Sequence, residues 1–509
     1  ALPISFIEQK NSIGLQYILD RLNPSSPYGQ ERVRRMTPYT VEEKDLLMEE
    51  LSNLEKLMNK KEDLKQEINH LRRIFMQMKD VRPTIKKARE MCLNDIELFE
   101  MKNFLIYSEQ ARSEANYVNG QTKMTGLGYM DLEAALDILD PDGRRIPSFY
   151  IYEAYSEKLD DIRKRKRELE KSMEIAAEET KKEYQNLRHQ VVLEEEEEEQ
   201  IIREQLTKRL QPYLDAMLYN ANVTGRLDLL LEKLTATYFG KAVKPVFSGM
   251  TGINAENMYK NTENEKANTA SDISFKLENV TNPWVASVLK NRGLEFTPLS
   301  IELTQGATVI TGANMGGKSI SLKTIVLNVV LAMCGFYVYA DYAEIPFFEN
   351  IQMISEELQS VQKGLSSFGA EIIQMKDVIE NVEKEFCFVV LDEFSRGTNP
   401  HEGAALVRAV TKYLNHKHVV ALLVTHFDHV AEYGKAHYQV VGLKDMDESR
   451  VENEIQNAGV QKGVAVIASH MNYGLYRVEN EGNCPRDAFR ICRLLGLQSD
   501  VMNLLDEQD

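Results

Sequence analysis

The chain has 509 residues, with 61 Lys and Arg against 78 Asp and Glu and a formal net charge of −17. That length predicts two or more domains with a sizeable core, and the acidity argues against a general nucleic-acid binder while leaving a local basic patch open. No run is apolar enough to span a bilayer and the N-terminus lacks a signal-peptide layout; the five cysteines (Cys92, Cys334, Cys387, Cys484, Cys492) show no paired close spacing, which speaks against a disulfide framework or zinc site and for a reducing cytoplasm.

Residues 1 to about 145 read as mostly helical. Leu15 to Leu22 is amphipathic, and Asn23-Pro24-Ser25-Ser26-Pro27-Tyr28-Gly29 is a turn-rich break. Val41 to Phe75 reads as one long helix, with Leu46, Leu47, Leu51, Leu54 and Leu57 at three- and four-residue spacing. Leu93 to Tyr107 and Leu132 to Leu139 continue the theme, and Asp140-Pro141-Asp142-Gly143 ends it. From Glu157 to about Leu210 the chain is charged and free of Pro and Gly, with only a thin seam of Leu159, Ile162, Leu169, Met173 and Ile175. Such a stretch suits a projecting helical arm or antiparallel coiled coil. Arg163-Lys164-Arg165-Lys166-Arg167 could touch phosphates, but the plainer reading makes it and Glu194 to Glu199 solvated faces that pair across the arm. Pro212 to Tyr238 returns to a helical pattern, and Gly252 to Ser271 reads as a polar linker. Beyond it short β-rich runs alternate with helices, which predicts an α/β domain with a largely parallel sheet from about residue 270.

Within that second half, Ala307 to Ile310 is a β-prone run that breaks into Thr311-Gly312-Ala313-Asn314-Met315-Gly316-Gly317-Lys318-Ser319 and continues at helical spacing. Gly312, Gly317, Lys318 and Ser319 fit the strand, phosphate loop, helix pattern. Glycines let backbone N–H groups turn toward phosphate oxygens, the helix N-terminus adds partial positive charge, Lys318 can reach the β- and γ-phosphates and the Ser319 hydroxyl can join a Mg²⁺ shell. Phe386 to Leu391 is an apolar strand ending in Asp392-Glu393, where a metal-holding carboxylate and a water-activating one belong beside such a loop. A third strand, Val419 to Val424, ends in Thr425-His426, a candidate γ-phosphate sensor. His416, His418, His426 and His429 lack matching Cys or carboxylate ligands for zinc, and no Gly-x-Ser-x-Gly or Cys/His arrangement supports a nucleophilic enzyme.

These residues together resemble the MutS family of ATPases. The Asn314-Met315-Gly316-Gly317-Lys318-Ser319 core is similar to that family's phosphate loop, and Leu391 to Pro400 to its second carboxylate motif with a Gly-Thr dimer-contact loop. Leu365-Ser366-Ser367-Phe368-Gly369-Ala370-Glu371 resembles the signature segment, Val424 to Phe427 the histidine loop, and Ala488 to Leu497 with Val501-Met502 the closing helices. Ser148 to Tyr152, leading into the charged arm, resembles the lever-and-clamp region. Ala313 replaces the usual Pro, and Asn399 to Leu406 is closer to the branch without mismatch recognition. The mismatch-reading and connector domains are expected to be missing, Phe6-Ile7-Glu8 mimics a mismatch wedge by chance, and no nuclease-like domain is expected.

The resemblance implies an all-α lever and clamp with a coiled-coil arm, followed by an α/β ATPase with an ABC-like phosphate loop. The expected division is 1–156 helical core, 157–210 clamp arm, 211–269 return helix and linker, and 270–509 ATPase with C-terminal dimerisation helices. It implies ATP and Mg²⁺ as cofactors. Gly312, Asn314, Gly316, Gly317, Lys318, Ser319 and Ile320 would bind nucleotide, with Ser319 and Asp392 at the metal. Glu393 would activate water, His426 would sense the γ-phosphate, Phe296 would stack on adenine from just before the first strand, and Ser366 would complete a partner's site. The expected protein is a dimer, with itself or a related subunit, that acts on DNA away from membranes. The alternative is an ATP-driven remodelling chaperone for a protein client such as a cobalamin-dependent aminomutase.

Overall fold

The computed structural model describes residues 10–176, 178–248, 273–291, 293–312, 317–355, 367–444, 446–458, 463, 466–467, 470–478 and 487–497. The linker expected at Gly252 to Ser271 lies outside these. Packing divides the chain into two compact units, one of Ala1–Arg21, Thr37–Leu51 and Thr235–Asp509, the other of Leu22–Met36 and Ser52–Leu234.

Up to residue 236 all regular elements among the described residues are helices: α1 (Leu15–Leu19), α2 (Pro27–Arg34), α3 (Lys44–Met58), α4 (Lys65–Gln77), α5 (Arg82–Ala88), α6 (Asp95–Thr122), α7 (Glu133–Leu139), α8 (Glu157–Ile175), α9 (Glu178–Leu210) and α10 (Leu214–Ala236), with short 3-10 turns between some of them. The single helix expected over Val41 to Phe75 is two, because Asn59-Lys60-Lys61-Glu62-Asp63 carries no apolar residue and the buried stripe lapses between Leu57 and Leu64. The helix expected to end near Tyr107 runs on as α6 to Thr122. It starts from a reciprocal capping box, Asn94 Oδ1 accepting from the Glu97 N–H and Glu97 Oε2 from the Asn94 N–H. Its inner face is continued by Ala111, Ala115 and Val118, small residues that a search for large apolar side chains passes over.

Two features of the helical unit bear on the arm. Lys102 and Asp140 are both 1% exposed and paired at 3.0 Å, and Lys102 Nζ also donates to the Tyr152 hydroxyl at 2.9 Å. This ties α6 to the segments just after α7 and just before α8. The helices α8 and α9 then form an antiparallel hairpin whose partner numbers fall as the numbers on α8 rise. Arg163 bonds Glu195 at 3.0 Å and Glu199 at 2.9 Å, Arg165 bonds Glu194 at 2.9 Å, and Arg188 bonds Glu170 at 2.9 Å. Lys166 also pairs with Glu195, Lys164 with Asp160 and Arg167 with Glu153, so every cation of the basic run has a carboxylate partner. Arg163, Arg165 and Lys166 thus pair with Glu194, Glu195 and Glu199 across the hairpin, which favours the paired-face reading of the basic run over the phosphate-contact one.

The other unit contains two sheets. Strands β1 (Val246–Ser248), β2 (Phe275–Val280), β3 (Leu299–Leu303) and β5 (Tyr342–Pro346) form a mixed sheet of order β1-β5-β2-β3, which the sequence reading did not foresee. The larger sheet has the order β10-β9-β4-β8-β7-β6, from β4 (Gly306–Thr311), β6 (Asn350–Ser355), β7 (Cys387–Asp392), β8 (Val419–Val424), β9 (Ala436–Gly442) and β10 (Asn472–Val478). All its pairs are parallel except β10 on β9. Strands β4, β7 and β8 are buried along almost their whole length, as parallel strands covered on both faces must be.

Of the helices of this unit, α11 (Pro283–Asn291) follows β2 and α12 (Lys318–Met333) follows β4; α13 (Ser367–Val382) and α14 (Pro400–Asn415) flank β7, and α15 (Glu448–Ala458) and α16 (Asp487–Leu494) pack together. α12 is apolar nearly all round because it lies against both β2 and the strands β7 and β8. The two sheets are joined by aromatic packing, with Phe388 of β7 5.7 Å from Phe275 and 5.1 Å from Phe348. α13 and α14 send Met375, Val378, Val407 and Leu414 into a core with Val389, Leu391, Ala421 and Leu423. Among the described residues no helix is long and apolar enough to cross a membrane.

Candidate functional site

In a parallel sheet the carboxyl ends of the strands share one edge, and ligands bind outside that edge. Here Ile310 of β4 pairs with Val424 of β8, and Val424 with Asp392 of β7, so the residues that follow these strands emerge side by side. Two backbone bonds lock the edge: Thr425 N–H donates to Ile310 O at 3.1 Å and Glu393 N–H to Val424 O at 3.0 Å.

Between β4 and α12, Gly312 and Gly317 are described, whereas Asn314 and Gly316 lie outside the described residues. Gly317 is required twice over. Its φ is +80°, and a Cβ there would stand 2.4 Å from Tyr473 Cδ1. The next residue, Lys318, is 3% exposed; its ammonium donates to Gly312 O at 2.6 Å and stands 3.8 Å from Glu393 Oε1. Ser319 Oγ donates to Asp392 Oδ1 at 3.0 Å. Four sequence-predicted residues, two at the start of α12 and two at the end of β7, thus meet in one cluster, with Ser319 and Asp392 73 positions apart.

Glu393 is the most constrained of them. Its backbone is left-handed at φ +52°, as is that of Ser395 at +68°, a conformation that non-glycine residues seldom hold unless their surroundings impose it. Arg396 Nη1 donates to Glu393 Oε2 at 2.7 Å, so the carboxylate lies between a lysine and an arginine. His426 is half-buried two residues beyond β8, with its ring tilted 38° against that of Phe427 at 4.4 Å. Ser366 lies outside the described residues; α13 begins at the next position.

Phe296 precedes β3, not the first strand of the domain as expected, since β2 comes earlier. It lines a pocket with Leu289, Thr297, Leu299, Ile320, Ser321 and Tyr473. The structure therefore brings Phe296 and Ile320 together beside the first turn of α12. It also adds Tyr473 of β10, a residue that the sequence reading missed. Burial pushes the Tyr473 phenol above its ordinary pKa. No motif marks this tyrosine; only the antiparallel return of β10 beside β9 carries it to the loop.

Residues 308–490 match the family description MutS domain V. The chain is similar to Endonuclease MutS2 of Fusobacterium nucleatum, 35% identical over 185 residues that make up 35% of this chain and 24% of the relative. It is similar to proteins of the same name from Streptococcus gordonii, 27% identical over 60% of this chain and 33% of the relative, and from Geobacillus sp. strain WCH70, 28% identical over 48% and 28%. The matched stretches thus span a quarter to a third of the length of these curated relatives. On the domain V match and the relatives that share it, residues 308–490 are similar to domain V of the MutS family.

Proposed function

We propose that this chain is the ATP-hydrolysing subunit of a dimeric MutS-type clamp that acts on DNA without reading mismatches itself. The observation that carries the reading is the meeting of Lys318, Ser319, Asp392 and Glu393 at one sheet edge. ATP phosphates lie over Gly312 to Ser319, with Asn314, Gly316 and Gly317 giving backbone N–H groups and the α12 N-terminus its partial charge. Lys318 leaves the Gly312 carbonyl for the β- and γ-phosphates. Ser319 Oγ and Asp392 Oδ1 are hard oxygen donors already 3.0 Å apart, a set that fits Mg²⁺; when bound, the ion neutralises phosphate charge. Glu393 takes the proton of the attacking water once Arg396 releases it, and His426 senses the γ-phosphate from the neighbouring strand end. Phe296, Ile320 and Tyr473 hold the adenine. Ser366 closes over the γ-phosphate of the partner's site, because charge on the transferring group needs donors on its outer side as well as in its cradle.

The DNA part of the reading is tested by fluorescence anisotropy on duplex DNA at increasing salt, with and without ATP. A clamp that neutralises about six phosphates loses about 10³ in affinity between roughly 50 and 200 mM salt. A second reading, in which the motor grips a protein client, draws on the hairpin: Glu157 to Leu210 holds 13 Lys and Arg against 16 Asp and Glu, and its basic run is spent on internal pairs. Absence of DNA binding at low salt with either nucleotide state moves the proposal to that reading.

A further inference from the structure

We propose that Glu371 is the positioning residue of the Glu393 turn, tying it to α13; the inference rests on the reading of Glu393 as the base. The turn from Asp392 to Arg396 contains two non-glycine residues in left-handed backbone, Glu393 and Ser395. Something outside the turn must impose that shape. On one side Glu393 N–H is anchored to Val424 O. On the other, Ser395 N–H donates to Glu371 Oε2 at 2.8 Å. Ser395 is wholly buried and its Oγ has no hydrogen-bond partner among the described residues, so its backbone N–H is where it is held.

The cost on the other partner argues the same way. Glu371 is 2% exposed, one turn into α13, on a helix whose Met375 and Val378 pack into the apolar core. An apolar side chain would fill such a place at less cost than a carboxylate, which is tolerated when donors compensate it. The N–H of a strained turn is such a donor. Glu393 Oε1 and Oε2 stand 3.8 Å from Lys318 Nζ and 2.7 Å from Arg396 Nη1, so their position depends on a turn with one anchor in the sheet and one in α13. Any displacement of α13 therefore reaches the Glu393 turn through the Glu371 bond.

The test uses the full chain, single-turnover ATP hydrolysis and the affinity of a fluorescent ATP analogue. Glu371→Ala should slow hydrolysis by about 10- to 100-fold, the scale of a misplaced catalytic group, with nucleotide affinity held within roughly threefold. Glu371→Gln, which keeps an acceptor oxygen at the same reach, should recover most of the loss, and Glu371→Ala should add nothing on a Glu393→Gln background. Parent-rate hydrolysis by Glu371→Ala, or a double variant well below Glu393→Gln, overturns the proposal. Should Glu371→Ala fail to fold, Glu371→Gln and Glu371→Asp decide it: the Gln variant must be the faster, and an Asp variant equal or faster refutes the role of acceptor reach. Glu393→Gln at the parent rate sinks the base itself. An inactive Glu393→Gln beside a fully active Glu371→Ala sinks the positioning role alone.

Discussion

Replacing Lys102 by Met tests whether the root of the helical hairpin is fixed by a buried charge pair. The ammonium is 3.0 Å from Asp140 Oδ1 and 2.9 Å from the Tyr152 hydroxyl, with both charged side chains 1% exposed. Removing one partner of such a pair costs about 3–5 kcal/mol, because the remaining charge stays buried. Arg145 N–H still donates to Asp140 Oδ2 at 2.7 Å, which places the expected loss near the lower end, about 3 kcal/mol. At about 2–4 °C per kcal/mol for a unit of this size, the helical transition should melt about 6–12 °C lower. Calorimetry with circular dichroism reads this, and Lys102→Met/Asp140→Asn should recover part of it. The acid limb gives an independent check. Burial pushes the Asp140 carboxyl up, but the Arg145 N–H and the Lys102 ammonium outweigh it and hold the group below the usual carboxylate range. A depressed folded pKa adds stability that is present above the unfolded value of about 3.9 and is lost as pH falls through the folded one. Lys102→Met should therefore lose less on acidification than the parent. A loss under about 1 kcal/mol, with an unchanged acid limb, refutes the assignment of the pair as a structural anchor.

Four further outcomes are expected. Glu393→Gln should keep nucleotide binding and lose hydrolysis by about 10²–10⁴-fold, whereas Lys318→Ala should weaken binding itself, as equilibrium titration and single-turnover assays will read. Gly317→Ala should weaken nucleotide binding by about tenfold or more, since its Cβ meets Tyr473 and its φ is left-handed; an unchanged affinity counts against the loop geometry. Neutralising Arg163, Lys164, Arg165, Lys166 and Arg167 should leave the salt slope of DNA binding unchanged while proteolysis within 157–210 becomes faster; a drop of about 0.9 in slope per residue would return them to the phosphates. Mixing inactive Lys318→Ala with inactive Ser366→Arg should restore part of the ATPase activity, and no recovery despite demonstrated subunit exchange removes the shared site.

What could be read from the sequence follows from which physical constraints are local. Val419 to Val424 announces a doubly covered strand by itself, and β8 occupies those six residues. Asp392 and Glu393 stand out because a fully apolar strand ends abruptly in charge, and the sheet then sets them beside Ser319 and Lys318 at the start of α12. The charge blocks at 163–167 and 194–199 are visible as composition, but which cation faces which carboxylate is set by the antiparallel pairing of α8 and α9. Tyr473 and Glu371 show the opposite limit. Tyr473 reaches Gly317 across 156 positions through β10 on β9, and its own neighbours in sequence say nothing of that approach. Glu371 closes the stretch that resembles the signature segment, but nothing in the sequence gives it a partner, and at a helix start carboxylates are ordinary and solvated. Its burial appears only when the Ser395 turn is built above it, and that turn's shape is dictated by Val424 on another strand. A residue whose partner is a backbone N–H leaves no complementary side chain for a motif search to find. Such residues are also the ones whose substitution most directly separates holding a catalytic group from being one.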